Sequence, residues 1–151
     1  MDLLARDRIS EALAERVQEG RPTLAVCLGM QLLCEGSDES PGSTGFRNIP
    51  GHVTRFPDSV RVPQLGWNRI EADPCCRFLE SGYAYFANSY RLETPPPGWL
   101  VASAWYGGPF VAAMERGRVL ACQFHPELSG LWGLSLLRRW LNADGKEGGC
   151  P

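Results

Sequence analysis

Thr23-Leu24-Ala25-Val26-Cys27-Leu28-Gly29-Met30-Gln31 decides the fold of this chain. Its first four residues form a nearly all-apolar run without polar alternation, the pattern of a strand buried on both faces of a parallel sheet. Gly29 to Glu35 has helical composition and follows with no loop between. A strand that turns sharply into a helix projects the residue at the turn, Cys27, above the sheet, and the small neighbours Ala25 and Gly29 leave room for a tight backbone. The first N–H groups of the helix and its dipole favour the thiolate over the thiol. The same N–H groups can donate hydrogen bonds to an oxyanion. A buried cysteine serving as a small hydrophobe at a strand end would carry the same local sequence, so the rest of the chain has to choose between the two.

Upstream, residues 2–19 read as an amphipathic helix, with Ala5, Ile9, Leu13 and Val17 at four-residue spacing. Gly20 suits its left-handed C-terminal position, and Pro22 prevents continuation. Helix, strand and helix in succession belong to an α/β layered fold. Downstream, 36–50 is a polar loop rich in Gly, Ser and Pro. Short β-type runs follow at 52–56, 60–63, 67–71, 83–88, 99–106, 109–114 and 118–124. Turns at Gly107-Gly108 and Arg116-Gly117 join the last three into an antiparallel meander. Pro95-Pro96-Pro97 is a stiff connector. Residues 128–142 predict a closing helix whose apolar side is Leu131, Leu134, Leu137 and Leu141, with Trp132 and Trp140 beside it. One domain over 1–142 and a disordered tail over 143–151 account for the whole sequence.

The composition supports a packed core: of 151 residues, 44% are hydrophobic and only 21% charged. Lys and Arg number 15 against 17 Asp and Glu, a net charge of −2, so there is no basic excess to bind nucleic acid. No apolar run reaches the roughly 18 residues of a membrane span, and the start Met1-Asp2-Leu3-Leu4-Ala5-Arg6-Asp7 has no secretory pattern, which points to a cytoplasmic protein. Six cysteines, at 27, 34, 75, 76, 122 and 150, show no disulfide framework and no C-x-x-C pair, so most read as reduced. With two histidines only, His52 and His125, no metal or other cofactor is implied.

His125-Pro126-Glu127 shifts the choice for Cys27. It ends the apolar strand Val119-Leu120-Ala121-Cys122-Gln123-Phe124, where active sites of open α/β sheets gather. Residues two apart on an extended backbone point the same way, and Pro126 is read as keeping that stretch extended. Glu127 can then orient His125, and His125 can deprotonate Cys27: orienting carboxylate, base and nucleophile. Spacing alone does not establish contact between segments 98 residues apart.

Val26-Cys27-Leu28-Gly29-Met30-Gln31-Leu32-Leu33, taken with Gln123-Phe124-His125-Pro126-Glu127, resembles the paired signature of class I (triad) glutamine amidotransferases. Within them, Val62-Pro63-Gln64-Leu65-Gly66-Trp67-Asn68 is similar to the V-P-H-M-G-W-N segment of the glutaminase subunits of imidazole glycerol phosphate synthases. Tyr85-Phe86-Ala87-Asn88-Ser89-Tyr90 resembles their Y-F-x-H-S-Y, and Pro126-Glu127-Leu128-Ser129-Gly130 their P-E-K-S-G.

The resemblance implies a flavodoxin-like sheet and a glutaminase. Cys27 would attack the carboxamide of glutamine, His125 would move the proton and Glu127 would hold His125. The Leu28 N–H would be one oxyanion donor, Gly29 would belong to the substrate site, Gln31 would hold glutamine's polar head, and Ser89 and Tyr90 would meet its amino-acid end. Trp67 and Asn68 would face a (β/α)8-barrel cyclase subunit that receives the ammonia in histidine biosynthesis, as a heterodimer. Asn88, Gln64 and Leu65 depart from the motif. The family's N-terminal strand-helix-strand unit and P-G-x-G oxyanion loop have no counterpart ahead of Asp2, so the resemblance also implies a partial domain. Two other readings stay open: a non-catalytic fragment that only binds a partner, and the glutaminase of an anthranilate- or aminodeoxychorismate-type synthase.

Overall fold

The computed structural model describes residues 9–143; the first turns of the expected opening helix, with Ala5, and the C-terminal tail lie outside them. Helix α1, Ile9–Gln18, ends at Gly20 in the left-handed region (φ 67°), as the sequence predicts. Its apolar stripe is buried only at the C-terminal end: Val17 is inaccessible while Ile9 is 42% exposed. Strand β1, Thr23–Val26, runs into helix α2, Leu28–Leu32, through Cys27 alone. The remaining elements are β2 (Gly36–Ser37), β3 (His52–Arg55), β4 (Gln64–Ala72), β5 (Gly82–Asn88), β6 (Tyr90–Arg91), β7 (Leu100–Trp105), β8 (Pro109–Arg116) and β9 (Val119–Cys122). A 3-10 turn, Pro126–Leu128, then leads into α3, Gly130–Leu141.

Six strands form one mixed sheet in the order β1-β9-β8-β7-β4-β5, and β2-β3-β6 form a smaller one. β1 and β9 are parallel, with Val26 opposite Cys122; the other pairings of the large sheet are antiparallel. The expected meander is β7-β8-β9. Its inner strands β8 and β9 are covered on both faces, so Phe110 and Ala112 pack to one side and Val111 and Met114 to the other. On the first side Phe56, Phe86, Phe110 and Phe124 stack edge to face and meet Leu136 of α3. On the second side Val17, Met30, Val53 and Leu92 bring α1, α2 and the small sheet onto the same strands.

Several expectations are corrected. β1 is not buried on both faces; only Ala25 is, because among the described residues β9 is its single strand neighbour. Helix α2 stops at Leu32, short of Glu35, because returning loop amides take the carbonyls of the next turn: Phe46 N–H donates to Leu32 O, Ile49 to Leu33 O, Arg47 to Cys34 O and Gly45 to Glu35 O. Residues 60–63 are a bend that ends in a cis Val62–Pro63 peptide, and the strand begins at Gln64, where pairing with β5 becomes available. The loop 36–50 contains the short strand β2.

The apolar side expected for the closing helix is corrected in its leucines, while its tryptophans do face the core. Leu131 is 86% and Leu141 66% exposed, whereas Gly133 and Leu136 are buried, with Trp132 and Trp140 packed beside the core. Gly133 sets this face: a Cβ there would lie 2.0 Å from the Pro126 carbonyl oxygen, so the helix docks on its glycine.

Candidate active site

Cys27 has φ 51° and ψ −108°, a left-handed conformation that non-glycine residues adopt at a cost. Its N–H donates to the Cys122 carbonyl at 2.7 Å, extending the β1–β9 ladder by one step, and its own carbonyl accepts from Met30 and Gln31 at the start of α2. The elbow predicted from sequence is therefore present. Gly29 is not sterically demanded there, since a Cβ would sit 3.6 Å from Ala25 Cβ, an ordinary contact.

The β1–β9 register carries on to bring Gln123 beside Cys27, with His125 two residues further along. Gln123 Nε2 donates to the Cys27 sulfur at 3.7 Å. His125 Nδ1 lies 2.7 Å from Glu127 Oε1; a carboxylate only accepts, so the proton sits on Nδ1 and Nε2 is left for a reacting group. Pro126 is not extended as expected. It opens the 3-10 turn, its fixed φ suiting a first helical position, and that turn curls Glu127 back onto the ring. His125 is fixed from β5 as well: its N–H donates to Tyr85 O at 2.9 Å, while the Ser129 hydroxyl donates to His125 O at 2.6 Å and accepts from Tyr85 N–H at 2.9 Å.

The thiol departs from expectation. Burial pushes the Cys27 pKa up, and the carboxylates of Glu39 and Glu127 push the same way; the Leu28 N–H aimed at the sulfur and the Gln123 amide pull it down without prevailing. The short helix does not make the resting group a thiolate. Cys34, Cys76 and Cys122 are also free thiols with raised pKa values, and Cys75 takes part in a disulfide.

Beside the elbow opens a cleft lined by Leu28, Gln31, Gly36, Ser37, Glu39 and Ser43, among others. Gln31 is buried, its Nε2 donates to Gln123 Oε1 at 3.1 Å, and its own Oε1 is buried with no partner. Ser89 and Tyr90 do not line this cleft. The Ser89 carbonyl accepts from Phe56 N–H, and Tyr90 packs beside the cluster of Met30 and Val53. Trp67 is 57% exposed on the outer face of β4, edge-on to Tyr85, and Asn68 Nδ2 donates to Trp105 O at 3.0 Å. Asn68 also borders a separate cavity of about 270 Å³ on that face, together with Arg69, Glu71, Ser103 and Trp105. The departing residues Gln64 and Asn88 stand opposite each other on β4 and β5, both buried and each with an oxygen lacking a partner.

Gln123, Ser129 and Glu39 escaped the sequence reading as site residues. The first two stand inside quoted motifs, but their value lies in neighbours on other strands. Glu39 is one of several acids in a polar loop. Among the described residues no cluster of three metal-ligating side chains exists, and no helix is long and apolar enough to cross a membrane.

Residues 6–141 match the family model of class-I glutamine amidotransferases. The chain is 38% identical over 141 residues to the imidazole glycerol phosphate synthase subunit HisH of Desulfitobacterium hafniense, covering 89% of this chain and 67% of that one. It is 40% identical over 136 residues to the subunit HisH of Methanothermobacter thermautotrophicus, covering 88% and 68%. It is also 40% identical over 149 residues to the imidazole glycerol phosphate synthase hisHF of Arabidopsis thaliana, where it spans 94% of this chain and 25% of that protein. Among solved structures, a glutamine amidotransferase superposes with TM-score 0.67 at 22% identity over 92% of this chain and 71% of the other. The glutaminase domain of Trypanosoma brucei CTPS gives 0.59 at 18% over 89% and 66%; these two likenesses speak for the fold.

Proposed function

We propose that this chain, which belongs to the class I glutamine amidotransferase family, is the glutaminase of an imidazole glycerol phosphate synthase and hydrolyses glutamine to glutamate and ammonia. The observation that carries the reading is the elbow: Cys27 held at φ 51° between β1 and α2, one strand away from a His125–Glu127 pair at 2.7 Å.

In the reaction, Cys27 gives its proton to His125 Nε2 and its sulfur bonds to the carboxamide carbon of glutamine. The oxygen that becomes an anion is met by the Leu28 N–H, with Gly29 completing the turn around it. Collapse breaks the C–N bond, His125 returns the proton to the departing nitrogen, and ammonia leaves a glutamyl thioester. A water that His125 deprotonates then hydrolyses the thioester, releasing glutamate and restoring the thiol. Glu127 holds the ring and offsets its charge while it carries the extra proton. In the cleft, the Glu39 carboxylate suits the ammonium group of the substrate, and Gln31 lines the wall beside it. Ser89 and Tyr90, which do not line the cleft in this structure, stand as the residues proposed for its amino-acid end.

The ammonia goes to a cyclase subunit. Relatives named as subunit HisH, and an Arabidopsis relative whose name joins H and F, support such a partner. Leu65 and Trp67, exposed on one face of β4, give a cyclase an apolar surface, with Asn68 next to Trp67 in the chain, and Leu28 and Leu128 are exposed next to the triad residues Cys27 and Glu127. A cyclase of the (β/α)8-barrel type, a heterodimer and a cytoplasmic setting complete the proposal. The test is ammonia release from glutamine by the chain with and without the cyclase subunit of an imidazole glycerol phosphate synthase: stimulation that Cys27→Ala abolishes supports the reading, and none contradicts it.

A further inference from the structure

Gln123 is fully buried at the end of β9, and the mechanism above does not use it. Its backbone N–H is anchored to Ala112 O at 2.8 Å, so the side chain has a fixed origin. A carboxamide has one accepting and one donating end. Here the accepting oxygen takes Gln31 Nε2 at 3.1 Å, and the donating nitrogen therefore faces the Cys27 sulfur at 3.7 Å. The same bond fixes Gln31: with its nitrogen turned to Gln123, its buried oxygen is left without a partner at the cleft wall.

We propose that Gln123 is a positioning residue that orders the site in two directions at once, donating to the Cys27 sulfur when it becomes a thiolate and fixing the orientation of the Gln31 carboxamide in the wall of the substrate cleft. The second half rests on the glutaminase reading; the first does not. The groups facing Cys27 divide by sign. Glu39, from the loop after β2, and Glu127, from the 3-10 turn, oppose the thiolate. His125 at the end of β9 is the base. Among the described residues, only Leu28 N–H, from the elbow itself, and Gln123, from the neighbouring strand, donate to the sulfur. Gln123 is therefore the one side-chain donor among the described residues that favours the charged nucleophile, and it sits where water does not compete.

The test follows the rate of Cys27 alkylation by iodoacetamide against pH in the full chain, read peptide by peptide so that the other thiols do not interfere. Gln123→Met keeps the side-chain length without a donor. Its expected effect is an upward move of the Cys27 midpoint by about half to one pH unit, a loss of ~3–10-fold in rate on the rising limb. Gln31→Met, which removes the group that orients Gln123 and leaves the Gln123 donor itself in place, should move it the same way by less, and carries the test if the first variant does not fold. A chloroketone analogue of glutamine, applied to the wild type with the cyclase subunit of an imidazole glycerol phosphate synthase present, probes the other half. Unchanged midpoints in both variants overturn the proposal whatever the chloroketone does. A shifted midpoint with no chloroketone labelling of Cys27 overturns the glutaminase reading and the Gln31 half, and supports the thiol half.

Discussion

The hydroxyl of Ser129 donates to the carbonyl oxygen of His125 at 2.6 Å. It accepts at the same time from Tyr85 N–H at 2.9 Å, and Ser129 itself is 1% exposed. The backbone that carries the base is thus tied to β5 by a side chain that water does not reach.

Ser129→Ala should therefore hurt catalysis more than binding. Tyr85 N–H loses its acceptor, while His125 O keeps the Leu128 N–H at 3.1 Å, at a cost to stability of about 1–3 kcal/mol. Glutaminase kinetics should show a lower kcat at nearly constant KM, since the cleft residues are untouched. A KM increase with unchanged kcat would place Ser129 in substrate binding instead.

Glu115, 3% exposed on β8, accepts from the backbone N–H groups of Arg77, of Phe78 at 3.0 Å and of Leu79 at 3.1 Å, and so fastens the loop between β4 and β5 to the core. Glu115→Ala leaves three donors without their acceptor and should cost about 3 kcal/mol or more, read as a lower urea midpoint. Glu115→Gln, which still accepts with one oxygen, should cost less. Equal losses in the two would show that the carboxylate's hydrogen bonds are not what matters.

Alkaline pH should weaken the fold through its buried thiols. Cys34 and Cys76 are both pushed up to about 12 from an ordinary 9.0, chiefly by burial. The folded state holds these protons more tightly than the unfolded one. Their contribution is fully present below pH 9 and is lost as pH rises from 9 toward 12, with a limiting slope of ~1.4 kcal/mol per pH unit for each thiol, less for the half-buried Cys76. Denaturant midpoints measured from pH 8 to 10.5 should fall, and Cys34→Ala should flatten the fall while lowering stability at neutral pH.

How much of this was legible in the sequence differs residue by residue. The elbow was, because an apolar run meeting a helix without a loop leaves the backbone one geometry, and Cys27 occupies it. The His125–Glu127 pair was legible as well, though by a wrong route: a 3-10 turn, not an extended strand, brings the carboxylate to the ring. The buried side of α3 was not, because Gly133, which carries no side chain to count, decides which face docks. Gln123 and Ser129 were hidden for a related reason. Their partners, Cys27 and Gln31 of the elbow and α2 for one, Tyr85 of β5 for the other, come from segments distant in sequence, and only the folded sheet makes them neighbours.

Trp67 stands mostly exposed, with one edge contact to Tyr85 at 6.1 Å between ring centroids. Trp67→Ala should change folding stability by no more than ~1 kcal/mol, while binding of the cyclase, followed by titration calorimetry, should weaken at least ~30-fold if the ring is an anchor of the interface. Unchanged binding with lost stability would make the ring a packing residue only.

The measurement that bears most directly on the account is steady-state ammonia release from glutamine by the 151-residue chain in the presence of the cyclase subunit, with Cys27→Ala beside it. The account predicts turnover that rises on adding the cyclase and falls to background in Cys27→Ala. Turnover that survives in Cys27→Ala, or wild type that releases no ammonia at any cyclase concentration, would contradict it.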